Sequence, residues 1–275
     1  MNLKPVALAL VLTAAGCSEH HHGLWLGYAE GDQAYISAPL AGWITNLKVQ
    51  RGAWVTKGEL LFTLDATSQT AARDSAQAAI AQAEANREQA EANLDLAKKQ
   101  FERQQGLMRS AATSQQAYDQ AKSAYDAAAA QVAQIDANEA AARASLSNAA
   151  YQLAQRRIVS LTEGRVQDIY FREGEYVPAM TPVVSVLPPG NVYVRFFVPE
   201  DQFSRIHLGQ KVHVHCDGCP DNVVATVAFI ASQEEFTPPV IFSNQSRTQL
   251  VFKVEARAPG GLKLNPGQPV DVDPL

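Results

Sequence analysis

The chain has 275 residues, of which 19% are charged and 47% are hydrophobic. This composition excludes wholesale disorder and a polytopic membrane protein. The formal net charge of -5 at pH 7 gives no cationic surplus for following a phosphate backbone, so we expect no nucleic-acid partner.

Residues 1–17 are typical of an export signal. Lys4 supplies a positive start, an apolar run follows from Val6 to Leu12, and small residues precede Cys17. This run is too short for a spanning helix, which needs roughly 20 apolar residues. The small-small-Cys ending resembles a bacterial lipobox, with Ala14 where leucine is usual, and implies a lipid on Cys17. Plain cleavage and an uncleaved anchor are the alternatives, and each would export the rest of the chain.

An internal repeat follows: residues 42–64 match residues 164–186 at a constant offset. Both read G-x-[IV]-x-x-[LI]-x-[VF]-x-x-G-x-x-V, with apolar positions that alternate as in half-buried strands. We assign residues 38–65 and 158–189 to two similar β units packed face to face, and residues 18–37 to a linker and the first barrel strand. We expect turns at five glycines, because glycine tolerates positive φ: Gly42, Gly52, Gly58, Gly164 and Gly174.

Residues 66–157, between the two halves, predict an antiparallel helical hairpin. The segment is rich in helix-forming residues and contains one glycine, Gly106, and no proline. Heptads of large and small residues predict a coiled-coil seam that breaks at residues 109–113. The break leaves two nearly equal arms, each of which would reach about 65 Å. One continuous, dimerising helix is the alternative, but it would keep the two β halves apart.

Two polar residues interrupt the apolar rows of this seam. Folding the hairpin at residues 109–113 brings Arg87 within about one helical turn of Glu139. We therefore predict an ion pair between Arg87 and Glu139 across the hairpin.

Residues 190–275 contain short strands separated by turn signals and predict a small β-barrel. One turn carries His213, His215, Cys216 and Cys219. We favour a plain turn whose cysteines form a local disulfide or stay apart, with no bound cofactor. A metal site with imidazole and thiolate ligands and a redox pair remain alternatives. The loop at residues 236–244 is interpreted as either a packed lid or a contact surface.

The order of these parts resembles the periplasmic adaptors, also called membrane fusion proteins, of the HlyD and AcrA type. The resemblance rests on Ser37-Ala38-Pro39-x-x-Gly42 and Gly52-x-x-Val55-x-Lys57-Gly58 in the first half, and on Gly164-x-Val166 in the second. It implies an elongated, multidomain α+β fold: a lipoyl-like β-sandwich split by a long antiparallel α-helical hairpin, followed by a small β-barrel.

The resemblance extends to the hairpin tip. Arg103, Leu107 and Ser114 match the spacing of the family's signature for contact with the outer-membrane channel. This implies a TolC-like channel as one partner. It also implies a lipid-anchored periplasmic protein, held at the inner membrane, whose copies assemble into a ring, expected to be hexameric. The C-terminal sequence is most similar to adaptors of ABC-type exporters, which implies an ABC-type inner-membrane transporter as the other partner.

Other functions are kept as alternatives. The first is an adaptor of a proton-driven pump or of a metal-efflux system. A biotinyl or lipoyl carrier would need a modified lysine between the β halves, where the helical insert stands instead. A structural lipoprotein is a further alternative. We expect no enzymatic activity, because no catalytic triad, paired-carboxylate site or phosphate loop is visible.

Overall fold

The computed structural model describes residues 24–219, 223–236 and 250–275. These residues form two compact units, one of which is Asp32–Pro188. The other combines the chain up to Gly31 with Pro189–Leu275. Two long helices, α1 (Thr67–Arg109) and α2 (Gln115–Ala154), lie in the first unit.

The described part of the chain contains fourteen strands, five before α1 and nine after α2. In chain order they are β1 (Trp25–Gly31), β2 (Ala34–Ser37), β3 (Gly42–Leu47), β4 (Trp54–Val55), β5 (Leu60–Leu64), β6 (Arg157–Val159), β7 (Gly164–Ile169), β8 (Tyr176–Val177), β9 (Pro182–Leu187), β10 (Val192–Pro199), β11 (Lys211–His215), β12 (Val223–Phe236), β13 (Leu250–Arg257) and β14 (Pro269–Pro274).

The first unit contains a sandwich of two four-stranded sheets, with strand orders β6-β5-β3-β8 and β2-β9-β7-β4. Each half of the sequence repeat supplies the two central strands of one sheet and one outer strand of the other, and β2 and β6, which lie outside the repeat, complete the sheets. The halves therefore cannot fold separately without leaving sheet edges unpaired. The core of the sandwich is apolar, and its largest fully buried members are Ile44, Val55, Leu61, Phe62, Leu64, Val166, Val177, Val183, Val184 and Val186.

The two halves of the sequence repeat are related by an approximate twofold symmetry, which is visible in their backbone hydrogen bonds. The Ile44 N–H donates to the Glu175 carbonyl at 2.9 Å, and the equivalent Val166 N–H donates to the Ala53 carbonyl at 2.8 Å. The strand pairs are exchanged in the same way, since Gly42 faces Val177 where β3 meets β8 and Val55 faces Gly164 where β4 meets β7. The predicted face-to-face β units thus share one core.

Two sequence expectations about this unit are corrected. Residues 34–37 are not part of the linker and barrel strand, because β2 pairs with β9 in the sandwich while β1 pairs with β10 and β14 in the barrel. Gly42 and Gly164 begin strands rather than turns. Their small size serves close approach: a Cβ would lie 2.7 Å from Nη1 of Arg156 at Gly42, and 2.3 Å from the Leu187 carbonyl oxygen at Gly164.

The remaining three glycines of the set do lie in turns with positive φ: 83° at Gly52, 87° at Gly58 and 87° at Gly174. No described atom lies within 4 Å of a Cβ added at any of them. Backbone conformation, and not space, therefore favours glycine at these positions.

The insert is an antiparallel helical hairpin, as predicted. The α1 helix has 43 residues and α2 has 40, which corresponds to about 60–65 Å for each arm. Large and small seam residues alternate, and Ile80, Ala90 and Ala97 of α1 are buried. Near the tip, the Phe101 ring stacks on Tyr125 at 5.7 Å between centroids. The alternative of one continuous helix is wrong.

The predicted Arg87–Glu139 pair is also wrong, because each residue has another partner. Nε of Arg87 lies 2.9 Å from Asp136 of α2, and Nη2 lies 3.0 Å from Glu91. Glu139 is 6% exposed and forms an ion pair with Arg143, four residues further along its own helix. Asp136 lies one turn before Glu139, so the folding of the hairpin was predicted correctly but its register only to within a turn.

The second unit is a closed barrel with strand order β1-β10-β13-β12-β11-β14. Closure depends on β14, which pairs with β1 on one side and with β11 on the other. Inside, Trp25 stacks on Phe196 at 5.6 Å between ring centroids. Its indole N–H donates to Oε1 of Gln202 at 2.9 Å, which satisfies a polar group that would otherwise be costly to bury.

Candidate functional site at the hairpin tip

The end of α1 reverses the chain through a Schellman motif. The Ala112 N–H donates to the Leu107 carbonyl at 2.9 Å, and the Ala111 N–H donates to the Met108 carbonyl at 3.1 Å. Ala111 has a φ of 55°, the left-handed conformation that this motif requires and that usually selects glycine. The motif satisfies carbonyls at the helix end and fixes the direction in which the chain leaves.

The second arm begins at Ser114, as predicted. Ser114 is the N-cap of α2, and its Oγ accepts a hydrogen bond from the Ala117 N–H at 3.2 Å. A further bond that the sequence did not indicate closes the loop: Oγ1 of Thr113 donates to Oε1 of Gln104 at 2.8 Å. No sequence signal singles out Gln104, because a glutamine is ordinary on any exposed helix face.

The three residues of the predicted tip signature lie at the same end of the hairpin. Arg103 and Leu107 are four positions apart on α1 and so share one helix face, while Ser114 lies across the turn. All three are exposed, and the Leu107 side chain is 37% exposed. An exposed leucine beside an arginine that presents five N–H donors is suited to contact with a protein surface.

The histidine and cysteine turn lies in the barrel unit. Cys216 and Cys219 form a disulfide, and the Cys219 N–H donates to the Cys216 carbonyl at 3.2 Å. Nε2 of His215 lies 2.8 Å from Oδ1 of Asp273, and the His213 and His215 rings stack at 6.0 Å. Among the described residues, no three His, Cys, Asp or Glu side chains converge as metal ligands. Bonded sulfurs are not thiolate ligands, so this arrangement favours the local-disulfide interpretation.

Two sequence predictions fall outside the described residues: lipidation at Cys17, and the interpretation of the loop that begins at residue 236. Within the part that the structure covers, no helix combines the length and the apolarity needed to cross a bilayer.

Comparison with known proteins gives a family match to the hairpin. Residues 79–156 match the family model "RND MFP, alpha-helical hairpin domain". This match covers most of α1, the tip and all of α2.

Curated relatives and a solved structure extend the likeness beyond the hairpin. An uncharacterised protein of Haemophilus influenzae is 30% identical over 67% of this chain, and the chain spans 41% of its length. The colistin resistance protein EmrA of Acinetobacter baumannii is 24% identical over 77% of this chain, which spans 70% of that protein. The crystal structure of MacA from Actinobacillus actinomycetemcomitans has a TM-score of 0.72 at 20% identity, over 91% of this chain and 77% of that one.

Proposed function

We propose that this chain, which belongs to the membrane fusion protein family of periplasmic adaptors, links an inner-membrane transporter to an outer-membrane channel in an efflux or secretion system. The observation that carries the proposal is the hairpin. Its two arms end in an ordered turn with Arg103, Leu107 and Ser114 exposed at one end. Such an end can bind a partner at a distance from the sandwich that holds its base.

The chemistry of the tip supports a protein partner. Between Arg103 and Tyr118 the chain has a second arginine, Arg109, and no Asp or Glu. Arg103 can form paired hydrogen bonds to carboxylates or carbonyls, and Leu107 can fill an apolar groove. A TolC-like channel is the partner that the resemblance of the tip sequence implies.

The finer parts of the proposal rest on sequence resemblance. An ABC-type transporter is proposed from the likeness of the C-terminal sequence, which rests on Phe236-Thr-Pro, Arg247-x-x-Leu250-Val251 and Leu264-x-Pro266-Gly267. The first two of these motifs lie partly outside the described residues. Lipidation of Cys17 and retention at the inner membrane are proposed from the lipobox-like ending of residues 1–17. A hexameric ring is proposed from the family, and the alanine-rich faces of the hairpin suit lateral packing of copies.

The test is in-cell crosslinking of the intact chain, followed by pull-down in mild detergent and identification of bound proteins by mass. We expect an ATP-hydrolysing transporter and an outer-membrane channel. The variants Leu107→Asp and Arg103→Asp should reduce recovery of the channel by about tenfold or more and leave recovery of the transporter unchanged.

The matched control is Leu96→Asp, since Leu96 is 57% exposed on the same helix but three turns from the tip. It should leave recovery of the channel unchanged. Recovery of a proton-driven pump would keep the adaptor role and overturn the choice of an ABC-type transporter. If the two tip variants recover the channel as well as the unchanged protein does, the tip is not the docking site.

A further inference from the structure

A groove opens at the base of the hairpin, where α1 begins and α2 ends against the sandwich. Its volume is about 660 Å³, within the range of small-molecule sites. Its polar lining consists of two arginines and four threonines: Arg156, Arg157, Thr45, Thr63, Thr67 and Thr70. No carboxylate lines it. The groove lies at the opposite end of the hairpin from the proposed docking site, so ligand binding there is independent of the proposed function.

Neither arginine of the groove forms a salt bridge among the described residues. Arg51, Arg87 and Arg143 of the same unit each meet an Asp or Glu, whereas no such pair forms at Arg156 or Arg157. One Nη1 proton of Arg156 is donated to the Ala41 carbonyl at 2.9 Å. The Nε of Arg156 is buried without a hydrogen-bond partner. Because no carboxylate pairs with either guanidinium, their remaining N–H donors leave the groove with capacity for an anion.

Asp65 lies beside the groove, and its charge is already engaged. Its Oδ1 accepts hydrogen bonds from Oγ1 of Thr67 at 2.7 Å and from the Thr67 N–H at 3.1 Å. The Thr67 hydroxyl, and to a smaller extent the charge of Arg156, hold the pKa of Asp65 below its usual value. Asp65 is therefore ionised at neutral pH, and it forms no salt bridge with either arginine of the groove.

The rest of the lining is apolar. Leu64, Ala66 and Leu153 contribute side chains, and each threonine adds a methyl group. We propose that this groove binds an amphipathic organic carboxylate. Its carboxylate would accept hydrogen bonds from Arg156 and Arg157, and its apolar body would lie against Leu64 and Leu153. Charge complementarity favours this occupant over an uncharged or cationic molecule.

The test uses the full chain and three probes: 2-naphthoate, which has both features, acetate, which lacks the apolar body, and 2-naphthamide, which lacks the charge. Binding is measured by isothermal titration calorimetry. We expect 2-naphthoate to bind at least about tenfold more tightly than either of the other probes. The variant Arg157→Gln should weaken 2-naphthoate binding by about tenfold.

The matched control is Arg165→Gln, which removes an exposed arginine of the same sandwich outside the groove. It should leave the affinity unchanged. Circular dichroism would establish that both variants fold. Equal affinity for 2-naphthoate and 2-naphthamide, unaltered affinity of Arg157→Gln, or no binding of 2-naphthoate would each overturn the proposal. Arg156→Lys gives a second measurement, since it keeps the charge but loses the planar fork, and unchanged binding would argue against paired recognition.

Discussion

Met180 and Gly58 occupy equivalent positions of the internal repeat, and both have positive φ: 61° and 87°. Their backbone bonds are equivalent too. The Met180 N–H donates to the Ala38 carbonyl at 2.8 Å, and the Gly58 N–H donates to the Ser160 carbonyl at 2.7 Å. The second half of the repeat therefore places a side chain where the first half has none. The Met180 side chain is 75% exposed, so it contributes little packing in return.

We expect Met180→Gly to stabilise the sandwich. A non-glycine residue in the left-handed region costs about 1–2 kcal/mol, and the greater freedom of glycine in the unfolded chain offsets about 0.5–1 kcal/mol of that gain. The free energy of unfolding in urea should rise by up to about 1.5 kcal/mol. Gly58→Ala is the reverse control and should lower it, because only its φ opposes the new Cβ. A loss of stability in Met180→Gly would show that the methionine side chain packs.

For individual residues, the sequence predicted the type of interaction more accurately than the residue that provides the other half of it. The heptads correctly indicated a charged cross-hairpin contact for Arg87, but the partner is Asp136 instead of Glu139. The predicted bend at residues 109–113 agrees with the observed helix ends, but it places Arg87 only to within about one turn of α2, where both Asp136 and Glu139 are in reach. The glycines at positions 52, 58 and 174 were correctly predicted to form turns with positive φ. At Gly42 and Gly164, however, a glycine in the sequence could not distinguish a turn from a position where a Cβ would collide with neighbouring atoms.

Among the described residues, the hairpin has one buried carboxylate, Glu139. Glu139 is paired with Arg143, and Nη2 of Arg143 also lies 3.8 Å from Glu84 on α1. Arg143→Met should lower the free energy of unfolding by about 1–3 kcal/mol, because it leaves a buried charge without its cation. Arg87→Met removes a half-exposed pair and should cost less than about 1 kcal/mol.

A double variant separates the charge effect from lost packing. Adding Glu139→Gln to Arg143→Met removes the uncompensated charge and should recover most of the loss. Urea unfolding of the four proteins gives this comparison. If Arg87→Met is the more damaging single change, then the exposed pair, and not the buried one, stabilises the hairpin.

The stability of the turn between the two arms can be tested in the same way. Ala111 adopts the left-handed conformation of the Schellman motif, so Ala111→Gly should stabilise the tip by about 0.5–1 kcal/mol. The Ala112 N–H, which is bonded to the Leu107 carbonyl, reports this directly. Its hydrogen exchange should slow by about two- to fivefold, while amides near Ala90 should exchange at their original rate. Faster exchange at Ala112 would mean that the tip is held by contacts other than this backbone motif.

Across the whole molecule, the repeat, the heptads and the short strands between turn signals predicted the order of sandwich half, hairpin, sandwich half and barrel. They could not predict which strands pair. Strands β4 and β8 have two residues each, too few for any periodicity, and barrel closure by β14 is a contact between distant parts of the chain. The groove at the base of the hairpin was not predicted for the same reason. In the sequence, Arg156 and Arg157 look like ordinary residues at the end of a helix, and only folding brings them close to Thr45 and Thr63.

Charge is distributed unevenly along the hairpin. The segment from Arg103 to Tyr118 is cationic, whereas Asp and Glu outnumber Lys and Arg over the rest of the helical insert. If this cationic end docks on the channel, electrostatic attraction should assist binding and be screened by salt. Recovery of crosslinked channel should therefore fall as sodium chloride is raised from about 50 mM to about 500 mM, where the screening length shortens severalfold.

Two charge variants connect that salt dependence to the tip. Arg109→Gln removes one tip cation and should flatten the dependence of channel recovery on salt. Arg73→Gln removes a cation near the base of α1, where Arg73 pairs with Asp74, and should leave the dependence unaltered. If channel recovery depends on salt equally in the two variants, the electrostatic attraction comes from a part of the molecule other than the tip. Recovery that does not change with salt would mean that the apolar contact of Leu107 dominates docking.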